Sequence, residues 1–225
     1  NKPGANTQIG TAEVAKAPGD GHTLLVGGIT PFVFNPLMYS KLPYDPKDLA
    51  GVAMLARSQL VLVAHPSVPA NNVRELIALA KSKPLFYGSA GNGSGGHVSG
   101  EMLKLMAKME AVHIPYKGAS QAAQDVASGQ VPVTMQGIAT VAGLVKGGKL
   151  RIMGVSMKQR HPQFPDVPTI SESGAPGFEF STWFLVTAPP GTPKEIVTRL
   201  NREIVKALAD PELRERYETL GLAPL

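Results

Sequence analysis

The chain has 225 residues, of which 43% are hydrophobic and 6% aromatic, with no cysteine and a formal net charge of +5 at neutral pH. Such a length suits one large or two small domains, and the lack of cysteine excludes disulfides, thiol catalysis and cysteine-held metal sites. No apolar run nears the roughly 20 residues needed to span a bilayer, and the scattered Lys and Arg form no basic arm with interleaved aromatics, so neither membrane insertion nor nucleic-acid binding is expected.

Residues 1–6 read as a loop, followed by a short helix over about 7–16. Pro18-Gly19-Asp20-Gly21 is a turn before a buried strand at 23–27. Gly28-Ile29-Thr30-Pro31 then makes a small-residue turn at the strand's C-terminal end, where ligands sit in open α/β sheets, so Thr30 is a candidate for ligand contact or for helix capping. A short helix around 34–39 and a rigid loop at 43–46 precede two expected strands, 51–55 and 60–64. His65-Pro66-Ser67-Val68-Pro69 is a proline-stiffened crossing, and a helix starts at Asn71 or Asn72, with Pro84 preventing its continuation.

Strict alternation follows: strand 85–88, helix 96–109, strand 111–116, helix 119–128, strand 131–135, helix 138–147 and strand 150–156. The segment 159–177, rich in Pro, Ser and Gly, carries only a short helical piece near 170–173. A strand at 180–187 forms a second crossing. Pro193 then opens an amphipathic helix to about 209, and Asp210-Pro211 opens a last one ending near 220. The order predicts an α/β protein of two lobes, 1–66 with 181–225 and 67–180, with a ligand cleft between them.

The chain's most informative stretch is Gly88-Ser89-Ala90-Gly91-Asn92-Gly93-Ser94-Gly95-Gly96-His97. Strand, glycine-rich turn and helix start together aim backbone N–H groups at an anion. Ser89, Asn92 and Ser94 add side-chain donors, and Ser94 is also placed to cap the helix. The favoured anion is a carboxylate. Gly91-x-Gly93-x-x-Gly96 formally matches the dinucleotide fingerprint, which leaves a nucleotide-cofactor enzyme domain as the alternative. That fingerprint needs an acid at the end of the next strand, and here the strand runs into Lys117-Gly118. A turn using glycine for geometry alone is the third reading. An effector-sensing regulator domain would need a DNA-binding helix pair that the chain does not carry.

Other residues suggest chemistry less strongly. His97 and Glu101 lie four apart on one helix face, but with no third ligand nearby a hydrogen bond between them, or a helix-starting His beside the ligand, is expected rather than a metal. His113 reads as a satisfied core or cleft-edge histidine, Asp125 and Asp166 as surface or turn residues, and Met102, Leu105, Met106 and Met109 as core. Gly88-Ser89-Ala90-Gly91 is not the Gly-x-Ser-x-Gly elbow of a hydrolase. No catalytic residue and no cofactor is assigned.

Several words occur in one order along the chain: Asn1-Lys2-Pro3-Gly4-Ala5, Asp20-Gly21-His22-Thr23-Leu24-Leu25, the 87–94 loop with His97 and Glu101, Ile114-Pro115-Tyr116-Lys117-Gly118, Lys149-Leu150-Arg151, Phe164-Pro165-Asp166-Val167-Pro168-Thr169 and Ala188-Pro189-Pro190-Gly191-Thr192-Pro193. Together they resemble the Bug-type substrate-binding proteins of tripartite tricarboxylate transporters. The resemblance implies a periplasmic, non-catalytic receptor of the type II periplasmic-binding-protein (Venus flytrap) fold that passes a small organic carboxylate to membrane permease subunits. It implies ligand contacts from the loop (Ser89, Ala90, Gly91, Asn92, Ser94), with His97 beside it, from Thr30 in the other lobe, and from Gln136, where many members carry Asp. It also implies a removed signal peptide, a preceding strand-and-loop unit and a further C-terminal helix, so the chain is expected to be shortened at both ends.

Overall fold

The computed structural model describes residues 4–224; residues 1–3, part of the expected opening loop, and residue 225 lie outside it. In chain order the elements are α1 (Gln8–Ala15), β1 (Leu25–Gly28), a π-helical turn (Thr30–Phe34), α2 (Asn35–Met38), β2 (Ala50–Ala64), α3 (Val73–Ser82), β3 (Leu85–Ser89), α4 (Gly95–Ala107), β4 (Ala111–Pro115), α5 (Ala119–Ala127), β5 (Val133–Gly137), α6 (Ile138–Lys146), β6 (Arg151–Val155), β7 (Ser181–Ala188), α7 (Lys194–Leu208), α8 (Pro211–Thr219) and β8 (Leu222–Pro224). They fall into two compact units, residues up to 57 with those from 182 on, and residues 58–181. The divisions at 57/58 and 181/182 lie where the sequence reading had 66/67 and 180/181.

In the first unit β1 pairs antiparallel with β7, Val26 opposite Val186 and Gly28 opposite Phe184, and β7 lies beside β2. Val52, Val186 and Ala188 form its buried centre, covered by Val197, Leu200 and Ile204 from one face of α7. The Asn201 amide of that helix donates to the Val52 carbonyl at 2.7 Å. Ahead of α1, Ala5, Asn6 and Thr7 all hold positive φ, a conformation that persists only where neighbours enforce it. The enforcement comes from Asn35, fully buried in α2. Its Oδ1 accepts from Asn6 Nδ2 at 2.8 Å, and its Nδ2 donates to the Asn6 carbonyl at 2.9 Å and to the Tyr44 hydroxyl at 3.0 Å. Tyr44 in turn donates to the Pro31 carbonyl.

The second unit is built on a mixed sheet in the order β6-β2-β5-β3-β4. The end of β2 pairs antiparallel with β5 on one side and β6 on the other, while β3 pairs parallel with both β4 and β5. Val61, Leu62, Val63 and Ala64 are buried without interruption, as a strand covered on both faces requires. Val61 and Val63 meet Ala123 and Val126 of α5 and Ile138 and Val141 of α6. Leu62, on the alternate side, joins Leu76, Tyr87, Leu103 and Met135 around a small apolar cavity. Asn72 caps α3 through the Glu75 N–H at 2.9 Å, and the Glu75 carboxylate returns to the Asn71 N–H at 2.7 Å, a reciprocal cap that settles where this helix begins.

Four expectations are corrected. The strands at 51–55 and 60–64 are one strand, because Ala56-Arg57-Ser58-Gln59 contains no breaker. The helical piece at 170–173 is a turn, with Glu172 accepting from the Thr169 N–H at 2.7 Å. Strand β8 follows α8 unforeseen and pairs with β2. Finally, two residues expected in the core lie outside on α4, Leu105 being 75% and Met106 39% exposed, while Met109, just after the helix, is buried. The buried face of α4 is Gly96, Ser99, Gly100, Leu103 and Ala107. Small residues there bring the helix axis close to the sheet, and a Cβ at Gly96 would stand 2.5 Å from the Met135 carbonyl oxygen.

Two outcomes test these packing arguments. Asn35→Ala strands buried partners of Asn6 and Tyr44 and is expected to cost about 2–3 kcal/mol, seen as a lower thermal midpoint. Gly96→Ala is expected to cost about 1–3 kcal/mol, since the obstructing atom is backbone; an unchanged denaturation midpoint would contradict the close approach.

Candidate functional site

The residues proposed from the sequence fall on both units. Thr30 lies in the first, at the opening position of the π-helical turn; the residue flanking that turn is Ile29, and no side-chain cap is made there. Ser89, Ala90, Gly91, Asn92, Ser94, His97 and Gln136 all lie in the second, where β3 ends and α4 begins, beside the end of β5.

Ser89 is fully buried and is the hub of the loop. Its Oγ accepts from the Gly91 N–H at 3.1 Å and from the Ser94 hydroxyl at 3.2 Å, shares a 2.6 Å hydrogen bond with His113 Nε2, and lies 3.1 Å from the Gly91 carbonyl. A hydroxyl has one proton and two lone pairs, so these neighbours use its full capacity. Ser94 Oγ accepts the His97 N–H at 3.3 Å and so caps α4, as its position suggested. His97 Nδ1 accepts the Gly93 N–H at 2.9 Å. Gly91 and Gly93 take φ of +119° and +71°, which other residues adopt only with strain.

This internal bonding leaves some donors over. The N–H groups of Gly95 and Gly96, at the first two positions of α4, and those of Ala90 and Asn92 in the loop have no acceptor among the described residues. They lie at the positive end of the helix dipole, with the Asn92 side chain exposed beside them. Such a group of donors suits an anion with several acceptor lone pairs. Gln136 is buried behind the loop, donating to Thr134 Oγ1 at 3.0 Å, and Thr134 donates to the Gly88 carbonyl at 2.7 Å.

The surroundings are kept largely uncharged. Burial pushes His97 and His113 below the usual histidine range, His113 to about 4; for His113 the neighbouring His97 adds to the effect, while Glu101 opposes it in both. Of the two readings for His97, the hydrogen bond to Glu101 is not made, and the ring lies in the first turn of α4. Glu101 instead accepts from the Tyr87 hydroxyl at 2.8 Å and pairs with Lys104 at 2.9 Å. Burial pushes the Glu101 carboxyl up, but these two donors outweigh it and hold it below its ordinary value. Burial and the Glu101 carboxylate push the Tyr87 hydroxyl well up. Asp125 lies within α5 and accepts from the Tyr116 hydroxyl at 2.8 Å; burial first, then Asp125, pushes that hydroxyl up to about 12. No group of three His, Asp or Glu able to hold a metal occurs among the described residues.

Sequence reasoning missed His113 and Thr134 as parts of this site. His113 reaches it because β4 runs parallel beside β3, with Tyr87 opposite His113 and Ser89 opposite Pro115. Thr134 reaches it through the β3–β5 pairing, opposite Gly88. The period-2 placement of both on strands was legible; the parallel register was not.

Comparison with known proteins agrees with this architecture. The family described as the tripartite tricarboxylate transporter family receptor matches residues 1–225. A UPF0065 protein from the tcbD-tcbE intergenic region of Pseudomonas sp. strain P51 is 38% identical over 226 residues, covering 99% of this chain and 67% of that protein. The structure of R. palustris Rpa4515 with adipate superposes with a TM-score of 0.96 at 36% identity, over 100% of this chain and 76% of that one. MatC (Rpa3494) from Rhodopseudomonas palustris with bound malate gives 0.88 at 31% identity, over 98% and 76%. Matched over its whole length, and with relatives well above 30% identity, the chain belongs to the tripartite tricarboxylate transporter receptor family.

Proposed function

We propose that the protein is a non-catalytic, extracytoplasmic receptor that binds a small organic dicarboxylate at the 88–97 loop and delivers it to a tripartite tricarboxylate-type permease. The observation that carries the reading is the set of unpaired N–H groups of Ala90, Asn92, Gly95 and Gly96 at the start of α4. A carboxylate accepts several such bonds at once, and charge-assisted bonds are the stronger kind. The Asn92 amide supplies a side-chain donor at the loop's surface, while Ser94, whose proton goes to Ser89, caps the helix start, and Ser89 holds Gly91 and Ser94 in place. Adipate and malate, bound by two structural relatives, are both dicarboxylates and set the size of ligand to try first. Membership of a receptor family supports the receptor role and, with it, a place outside the cytoplasm.

The decisive experiment is a thermal-shift and calorimetric screen of the purified chain against adipate, malate, a tricarboxylate, an aromatic acid and NAD. A ligand at about 100 times its Kd stabilises the native state by about 2.7 kcal/mol, or roughly 5–10 °C for a protein of this size. A carboxylate-specific shift is the expected result. A shift with NAD alone, or with none of them, overturns the reading.

Ser94→Asp places a second test on the loop itself. Aspartate keeps the helix cap but not the hydroxyl that Ser94 donates to buried Ser89, so the thermal midpoint is expected to fall while the chain still folds. Its charge occupies the donors meant for the ligand, and carboxylate affinity is expected to fall at least 100-fold by calorimetry. Unchanged affinity in a folded variant would move the site elsewhere.

A further inference from the structure

Backbone N–H groups suffice to bind a carboxylate, yet two imidazoles are spent on this loop. His97 Nδ1 accepts the Gly93 N–H at 2.9 Å, and His113 Nε2 is bonded to Ser89 Oγ at 2.6 Å. The rings stack with centroids 4.1 Å apart and planes 26° from parallel. A ring nitrogen accepts only when it carries no proton, and a charged imidazole donates from both. A proton on His97 therefore sets Nδ1–H against the Gly93 N–H. Protons on both rings place two cations face to face.

The neighbours do little to relieve this. From β3 the Tyr87 ring lies 5.1 Å from His113, with its hydroxyl turned to Glu101. From α4, Glu101 is the nearby acid, and Lys104 already pairs with it. Just beyond β4, Tyr116 is bonded to Asp125 of α5.

We infer that the stacked His97–His113 pair is a positioning element for the ligand loop, holding its anion-binding shape only while both rings are neutral. The inference rests on the reading of the loop as the carboxylate site. Its consequence is that acid loosens the loop and weakens ligand binding. A bound carboxylate would attract one imidazolium, but that attraction is screened at a solvent-facing loop. The clash of two donors sits inside the loop and is not screened. The lowered histidine values fix the direction: the arrangement is intact above about 6.5, the unperturbed value. It is lost as pH falls, through about 4 for His113.

The test compares the natural chain with a His97→Asn, His113→Gln double variant. The Asn side-chain oxygen lies near the place of Nδ1 and the Gln oxygen near that of Nε2, so the acceptors remain and the titration goes. Amide NMR of the ligand-free protein between pH 7.5 and 4 is expected to show the Gly91 and Gly93 N–H resonances of the natural chain moving with a histidine titration below pH 6.5. In the double variant they stay in place. Calorimetry over the same range is expected to show adipate affinity falling at least tenfold further for the natural chain, the variant's own loss measuring protonation of adipate. Glycine resonances that do not move, or parallel affinity losses in both proteins, overturn the inference. Absence of adipate binding at every pH instead counts against the proposed function, while the amide titration still decides the role of the pair. If the double variant misfolds by circular dichroism, His97→Asn alone is expected to abolish the Gly93 shift, and a persisting shift overturns the inference.

Discussion

One buried hydroxyl ties the turn between β3 and α4 together. Ser89 Oγ stands where β3 ends and touches the loop through Gly91, the helix start through Ser94, and the neighbouring strand through His113. Each contact fixes a different element relative to the same atom. Because the atom is fully buried, water cannot replace any partner, and an unmet bond there carries the full desolvation cost. The loop is therefore preformed by its own side chains, which spares a ligand the entropy of ordering it.

The second constraint is the closeness of α4 to the sheet. Gly96 lies directly against the Met135 backbone, and Gly100 leaves room for the Tyr87 ring to fill the space between helix and strand. The contact sets the first turn of α4 directly at the end of β3, and its free N–H groups face the space beyond the strand. Large residues of the same helix, Leu105 above all, are left outside. The cost of exposing them is one face of a surface helix. The gain is a helix N-terminus held by backbone contacts, which move less than long side chains.

The loop proposed as the anion site contains no Lys or Arg. Its positive potential comes from N–H dipoles, and the Glu101 and Lys104 charges on α4 are paired with each other. Neutral histidines complete the wall. At the proposed site affinity would depend on hydrogen-bond geometry more than on net charge, which suits discrimination among acids of equal charge and different shape.

The sequence by itself made legible the alternation of strands and helices through the second unit, the glycine-rich turn between β3 and α4, the Ser94 cap and a start of α3 at Asn71 or Asn72, which the structure fixes at Asn72. All of these rest on local chemistry: periodicity, turn residues and capping side chains act within a few positions of themselves. The register of family words along the chain also pointed to the family that its full-length match shows. The tertiary structure alone decided which face of α4 is buried, because hydrophobic spacing favoured Leu105 and Met106 while close packing selected the glycines. It alone joined Tyr87, His113 and Thr134 to the site, through parallel pairings between strands distant in sequence. It also ran β2 unbroken from Ala50 to Ala64, with the division between the two units inside that strand, where no local breaker marked one. Local signals fix what each segment becomes; which segments meet depends on contacts whose partners lie tens of residues away.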